Sequence, residues 1–204
     1  MLTFKFGGTA ITPQNVRFVK QAAQNQDCIV VVSAPGKTYS SDAKVTDLLA
    51  KYHADPSDEN WQQIAAKFAD LARATDYRSD LDKLLFVARQ NASSGSLAHC
   101  MSLGEELSAK IMASYLGFAH VEAANAFWFD SSGKLDVKKT VANLKSATSG
   151  VRQAVIGGFY GSSELGRAVF SRGGSDVSGT YCAVATNSNL YLNCTDVCGV
   201  FVAD

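Results

Sequence analysis

The chain has 204 residues, which fits one large domain or two small ones. Its 47% hydrophobic content is typical of a globular protein that buries a sizeable core. The 19 basic and 19 acidic side chains balance, with no basic stripe, and this argues against nucleic acid as a partner. No signal peptide or long apolar span occurs, so the sequence favours a cytoplasmic protein without a membrane partner.

The five cysteines are scattered and have no histidine cluster beside them. This pattern predicts small buried hydrophobic residues in a reducing compartment, and no metal site formed by the protein. The positions are Cys28, Cys100, Cys182, Cys194 and Cys198.

The first elements in the chain form a strand, a helix and a second strand. Residues 2–6 alternate like a strand, and a helix is predicted from Thr12, with Thr12 as its cap and Pro13 at its first position. Residues 28–32 form a continuous apolar run, which is typical of a strand buried on both faces of a parallel sheet. The spacing therefore predicts a right-handed βαβ unit.

The middle of the chain is predicted to be helical. Apolar residues recur at helical spacing within residues 43–91, in three segments, and again in residues 97–115. Gly104 lies inside the last of these helices, where a glycine weakens a helix and indicates that something packs closely. Of the two acidic residues that follow it, Glu106 is expected to be the solvated one.

The last part of the chain continues the alternation. It contains a predicted helix at residues 136–145, a strand at 153–158, a long Gly/Ser-rich loop, a helix at 177–186 and a strand at 189–194. Strands alternate with helices throughout, and this predicts an α/β fold, a three-layer αβα sandwich with a mostly parallel sheet.

The loop before the helix at 177–186 has the residues of an anion site. Gly173 and Gly174 let the backbone approach a ligand closely, and Arg172 carries a planar fork suited to a carboxylate or phosphate. Ser175 and Asp176 either cap the helix or face that ligand.

Lys5 lies in the first strand, two residues before Gly7. A buried lysine is costly unless it meets an anion, so Lys5 either faces one or points to water from an edge strand.

Two common phosphate-binding motifs are excluded. Gly36-Lys37-Thr38 ends like a P-loop, but that motif needs a glycine where Val31 lies within the strand. The first strand is not followed by the G-x-G-x-x-G of a Rossmann dehydrogenase.

Six motifs in order along the chain resemble those of aspartate kinases, which belong to the amino acid kinase superfamily. They are Lys5-Phe6-Gly7-Gly8-Thr9, Val31-Val32-Ser33-Ala34-Pro35-Gly36, Ser102-Leu103-Gly104-Glu105-Glu106-Leu107-Ser108-Ala109, Gly158-Phe159-Tyr160-Gly161, Arg172-Gly173-Gly174-Ser175-Asp176 and Thr195-Asp196-Val197-Cys198-Gly199-Val200-Phe201. The resemblance implies an amino acid kinase fold and phosphorylation of the L-aspartate β-carboxylate by ATP with Mg²⁺, the first step toward lysine, threonine and methionine.

The resemblance also implies roles for individual residues. Lys5 would contact the transferring phosphoryl group, and Asp176 would orient Lys5 or assist the metal-bound phosphates. Arg172 would hold a carboxylate of aspartate and Glu105 its ammonium group. The implied aspartate-binding residues are Ser33, Thr46, Glu105, Arg172 and Ser175. The implied nucleotide- and phosphate-binding residues are Lys5, Phe6, Gly7, Gly8, Gly173, Gly174, Thr195, Asp196 and Phe201.

Measured against that family, residues 1–204 are expected to be a catalytic domain without most of the adenosine site and without regulatory ACT domains, and a homo-oligomer is expected. Two alternatives stay open. One is a superfamily kinase acting on glutamate, acetylglutamate, carbamate or UMP. The other is a fragment that binds aspartate without catalysing a reaction.

Overall fold

The structure is a computed structural model, and it describes residues 1–171 and 173–195. A sheet of five described strands runs through it in the order β3–β4–β2–β1–β7, and every neighbouring pair is parallel. The remaining two strands form a separate antiparallel hairpin. The strands are β1 (Leu2–Phe6), β2 (Cys28–Val32), β3 (Ala119–Val121), β4 (Gln153–Gly157), β5 (Tyr160–Ser163), β6 (Gly166–Val169) and β7 (Leu190–Cys194).

Helices cover both faces of the sheet. Within the described residues they are α1 (Val16–Ala23), α2 (Val45–Ala54), α3 (Asp58–Ala74), α4 (Leu81–Ser94), α5 (Leu97–Leu116), α6 (Ala123–Ala126), α7 (Val137–Ala147) and α8 (Gly174–Ala185). One hydrophobic core lies between the sheet and α1–α5, and a second lies between the sheet and α6–α8. The predicted three-layer αβα sandwich with a parallel sheet is confirmed.

The pattern of β1 determines where Lys5 points. Phe4 and Phe6 enter the core on the α1–α5 side, so Thr3 and Lys5 face the α8 side of the sheet. Strand β1 pairs with β2 on one side and β7 on the other, so Lys5 is not on an edge strand. The edge-strand alternative for Lys5 is therefore wrong.

Helix α1 begins later than predicted, at Val16 rather than after Thr12. The Thr12 hydroxyl and the Asn15 side-chain amide both donate hydrogen bonds to the carbonyl of Thr9, at 3.2 and 2.8 Å. Residues 12–15 are therefore not helical, since two of their side chains bond to the carbonyl of Thr9, and Thr12 does not cap the helix.

The predicted long loop before α8 contains the hairpin β5–β6. Its strands carry glycine and serine where strands usually carry β-branched residues, so the sequence pattern does not predict them. The hairpin turn passes through Gly166 at φ +106°, a backbone conformation that favours glycine.

Three of the four described cysteines are buried, as predicted, and the fourth is only partly buried. Cys28, Cys100 and Cys182 are buried free thiols, Cys194 is half-buried, and Cys198 lies outside the described residues. Among the described helices, no segment combines the length and the apolar character needed to cross a membrane.

Candidate functional site

Parallel strands end at a common edge of the sheet, and the ends of β1, β2 and β4 meet the beginning of α8 there. An open cleft of about 550 Å³ lies between them. The predicted site residues that line this cleft are Lys5, Gly7, Gly8, Ser33, Thr46, Glu105, Gly173, Gly174, Ser175, Asp176 and Thr195. They come from six separate stretches of the chain, which the fold brings together.

Among the described residues, one predicted site residue, Phe6, does not line the cleft. The ring of Phe6 is buried in the core on the α1–α5 side, and its centroid lies 5.9 Å from that of the Phe4 ring. The carbonyl of Phe6 accepts a hydrogen bond from the N–H of Ser33 at 3.2 Å. Arg172, Asp196 and Phe201 lie outside the described residues, so their roles stay predictions.

The two glycine turns after β1 and β2 touch through their backbones. The N–H of Gly36 donates to the carbonyl of Gly8 at 2.8 Å. A Cβ atom added at Gly36 would lie 2.6 Å from the carbonyl carbon of Gly8, closer than real Cβ contacts allow. The close approach of the two turns therefore requires glycine at position 36.

Lys5 lies at the floor of the cleft and is paired with Asp176. Lys5 is only 8% exposed, and its Nζ lies 2.6 Å from Oδ1 of Asp176 at the start of α8. The Asp176 side chain is half exposed, so its carboxylate also faces the cleft. A Cβ added at Gly7 would be 3.6 Å from Nζ, which places the ammonium group directly beside the first glycine turn.

Glu105 is a buried acid without a positive partner among the described residues. It lies on α5 and is 4% exposed, and its Oε2 has no hydrogen-bond partner. Burial raises its pKa to about 8, and a backbone hydrogen bond from Ala34 lowers the pKa only in part. The neighbouring Gly104 lets α5 pack closely against the loop that follows β2, since a Cβ atom added at Gly104 would lie 2.7 Å from the Cβ of Ala34. The close packing predicted at Gly104 is confirmed.

Helix α8 starts three residues earlier than predicted, and this changes the roles of its first polar residues. Gly173, at φ +68°, is the N-cap, so Ser175 and Asp176 lie in the first turn and do not cap it. The first N–H groups of a helix lack intrahelical partners and favour anions, and here they border the cleft. Gly158 packs against Ser175, because a Cβ at Gly158 would lie 2.7 Å from Ser175 Oγ.

The solvated position predicted for Glu106 is wrong. Its Oε2 lies 2.9 Å from Arg167 of β6 and its Oε1 2.6 Å from Lys110. Arg167 also contacts Glu122 at 3.1 Å, and the hydroxyl of Tyr160 donates to the same Glu122 oxygen at 2.9 Å. We name these five residues the Arg167 network. The network joins the β5–β6 hairpin to α5. It could not be predicted, because the sequence pattern does not predict the hairpin.

Two lysines in the cleft wall were missed as site residues. Lys37 and Lys44 both line the cleft, both are exposed, and neither has an ion-pair partner among the described residues. The signal in the sequence is Gly36-Lys37-Thr38, a glycine followed by a lysine in the loop that leaves a buried strand.

Comparisons with known proteins agree with this architecture. The profile of the amino acid kinase family matches residues 2–204. Aspartokinase 3 of Bacillus subtilis (strain 168) is 32% identical, over 84% of this chain and 42% of that protein. The crystal structure of Clostridium acetobutylicum aspartate kinase is 34% identical, with a TM-score of 0.92 over 100% of this chain and 49% of that one.

A more distant structure shows the same fold. Escherichia coli aspartokinase III, in complex with aspartate and ADP, has a TM-score of 0.75 at 19% identity, covering 98% of this chain and 50% of that one. The chain spans about half the length of the relatives that it matches. The resemblance to aspartate kinases predicted from the motifs is confirmed, and the chain belongs to the amino acid kinase family.

Proposed function

We propose that this chain carries the aspartate-binding and phosphoryl-transfer part of a kinase that phosphorylates the β-carboxylate of L-aspartate with ATP. The observation that carries the proposal is one cleft that holds a buried lysine beside a glycine turn and, on α5, a buried carboxylate that has no positive partner within residues 1–171 and 173–195. The first suits a phosphoryl group and the second an ammonium group. The similarity to aspartate kinases supports the same assignment.

Glu105 is the proposed receptor for the aspartate ammonium group. An amino acid brings the positive charge that the buried carboxylate lacks, and binding it satisfies Oε2. Ser33, Thr46 and Ser175 line the same cleft and offer hydroxyl groups to the two carboxylates. Arg172, proposed as a further carboxylate ligand, lies outside the described residues.

The transfer needs little covalent chemistry from the protein. An oxygen of the ionised β-carboxylate attacks the γ-phosphorus of ATP, the bond from that phosphorus to the bridging oxygen breaks, and ADP leaves with the electron pair. No general base is needed, because the attacking carboxylate carries no proton. Lys5 stabilises the negative charge on the transferring group, and Asp176 holds its ammonium in place from 2.6 Å.

Mg²⁺ is expected to enter with the nucleotide. Among the described residues, no group of three or more His, Cys, Asp or Glu side chains could hold a metal ion alone. Mg²⁺ in kinases commonly takes one or two carboxylates together with phosphate oxygens, and the half-exposed carboxylate of Asp176 fits that need. Bound there, the ion would neutralise phosphate charge.

The wider assignment follows the relatives. We propose that the product serves lysine, threonine and methionine biosynthesis in the cytoplasm, and that the complete protein is a homo-oligomer. The second candidate is a fragment that binds aspartate without turnover, and titrations that show binding of aspartate but not of ATP would support it.

The test traps aspartyl phosphate with hydroxylamine in a reaction of the chain with ATP, Mg²⁺ and aspartate. Lys5→Met is expected to lower turnover about 10²- to 10³-fold, the usual effect of removing a group that stabilises transition-state charge. Lys83→Met, an exposed lysine on α4, is the matched control and keeps wild-type turnover. Turnover in Lys5→Met equal to wild type contradicts the role of Lys5, and hydroxamate formed only with another acceptor in a substrate panel contradicts aspartate.

A further inference from the structure

The loop between β2 and α2 is organised by one carboxylate. Asp42 accepts hydrogen bonds from the N–H of Thr38 at 2.8 Å, through Oδ2, and from the N–H of Ala43 at 2.9 Å, through Oδ1. Oδ2 also forms an ion pair with Lys67, which lies on α3. A single side chain therefore joins the two ends of residues 38–43 and ties them to a rigid helix.

This clamp is largely out of solvent. The side chains of Asp42 and Lys67 are 8% and 16% exposed, unlike the exposed ion pairs elsewhere on the surface. Burial by itself raises the pKa of Asp42, but the hydrogen bonds from Lys67 and Thr38 outweigh it, so the pKa lies below its ordinary value. The carboxylate of Asp42 therefore stays ionised across the neutral range.

The clamped loop carries two free cations to the cleft. Lys37 lies directly before the clamped residues and Lys44 directly after them, and both line the cleft. In the described part of the cleft, the positive charge of Lys5 is already matched by Asp176, whereas Lys37 and Lys44 have no ion-pair partner. Bound aspartate alone would leave the charges of Lys37 and Lys44 without a partner. Its own ammonium group is proposed to bind Glu105, and its carboxylates to bind the hydroxyl groups that line the cleft.

We propose that Lys37 and Lys44 contact the triphosphate of the nucleotide, and that the Asp42–Lys67 pair is a positioning device that holds them there. A polyphosphate chain carries several negative charges along its length, which suits two ammonium groups presented from both ends of one loop. Asp42 and Lys67 do not line the cleft, so they act only through the loop. The inference deepens the proposed function and rests on it for the identity of the nucleotide.

The first experiment measures binding of inorganic tripolyphosphate and of ATP to the whole chain by titration calorimetry. Lys37→Ala and Lys44→Ala are each expected to weaken the binding of both ligands about tenfold, as the loss of one charge-assisted contact does. Lys83→Ala removes an equivalent exposed charge from α4 and is expected to bind as wild type. Unchanged affinity in both loop variants, or no binding of either ligand to wild type, overturns the inference.

The clamp is tested separately from the lysines. Lys67→Met is expected to weaken tripolyphosphate several-fold while aspartate affinity stays within twofold, and to speed trypsin cleavage after Lys37. Lys67→Arg keeps the charge and is expected to restore most of the affinity. Asp42→Asn gives a second variant in case Lys67→Met fails to fold. Equal losses for tripolyphosphate and aspartate would show general structural damage and overturn the positioning role.

The two proposals fail in different ways. If wild type forms no aspartyl hydroxamate but tripolyphosphate still distinguishes wild type from Lys37→Ala and Lys44→Ala, the proposed reaction fails and the phosphate site stands. If wild type turns over and all loop variants bind tripolyphosphate and ATP as wild type does, the loop inference alone fails.

Discussion

Glu105 and Glu106 are adjacent on α5 and both are buried, yet their surroundings are opposite. Glu106 meets two cations, Arg167 and Lys110, within 3 Å, as part of the Arg167 network. Glu105 faces the cleft with an oxygen that has no hydrogen-bond partner in the described part of the chain, and burial raises its pKa to about 8. Among the residues that the structure describes, one carboxylate therefore has positively charged partners and the other has none, which leaves it available to a positively charged group of a ligand.

This difference separates a structural acid from a binding acid. A buried charge with partners holds elements together, and removing one partner leaves the rest uncompensated. A buried charge without partners is costly to the folded protein, and its retention at a cleft indicates a role in function. Substitutions in the two regions should therefore have opposite consequences for stability and for ligand binding.

The largest effect on stability is expected from Arg167→Met. The change leaves Glu106 and Glu122 facing each other's charge across a largely buried site, where Arg167 itself is 14% exposed. Breaking a buried pair from one side costs about 3 kcal/mol of unfolding free energy. Chemical denaturation followed by circular dichroism measures it.

The control for that prediction is Arg152→Met. Arg152 pairs with Asp27 at 2.8 Å but is 82% exposed, so the loss is expected to stay below about 1 kcal/mol. A similar loss in both variants would mean that the burial of the Arg167 network contributes nothing.

The next effect is on ligand binding. Glu105→Gln keeps the shape of the side chain but removes the negative charge proposed to meet the aspartate ammonium. Because one partner of a buried ionic contact is lost, the affinity for aspartate is expected to fall about 10²-fold, which a binding titration measures. Unfolding free energy at pH 8 should be unchanged or higher, because an uncompensated charge has gone.

Glu106→Gln, the neighbouring substitution, is the matched control for Glu105→Gln. It is expected to lower unfolding free energy and to leave aspartate affinity within a few-fold of wild type. If Glu106→Gln weakens aspartate as strongly as Glu105→Gln does, the division between structural and binding acid is wrong.

The same contrast explains what the sequence could predict. Most strand and helix types follow from periodicity, and Lys5, Glu105 and Asp176 each lie within a short local motif, so the resemblance identified them. Arg167 could not be recognised, because its partners lie 61 and 45 residues away and its strand has no strand-like composition. The predicted helix starts are wrong where turns precede the helix, as at residues 12–15 before α1, and where a glycine is the N-cap, as at Gly173 of α8.

A further expected effect is the pH dependence of stability that Glu105 confers. The pKa of Glu105 is about 8 in the folded chain without ligand and about 4.5 in the unfolded chain. Between these values the folded state binds more protons, so unfolding free energy falls as pH rises through that window and is level above it. Glu105→Gln should remove this component, which comparison of wild-type and variant denaturation at pH 5 and pH 8 measures.

In the chain without ligand, the buried carboxyl of Glu105 favours its protonated form. Aspartate binding should reverse this, because an ammonium group beside Glu105 favours the ionised form. At pH 7 the carboxyl of the free chain is mostly protonated, so binding is expected to release up to about one proton and to tighten less than tenfold between pH 7 and pH 8. Calorimetry in two buffers of different ionisation enthalpy counts the released proton, and Glu105→Gln should release none. Proton release equal in wild type and Glu105→Gln would mean that another group receives the ammonium, and Glu105 would then lose its place in the binding site.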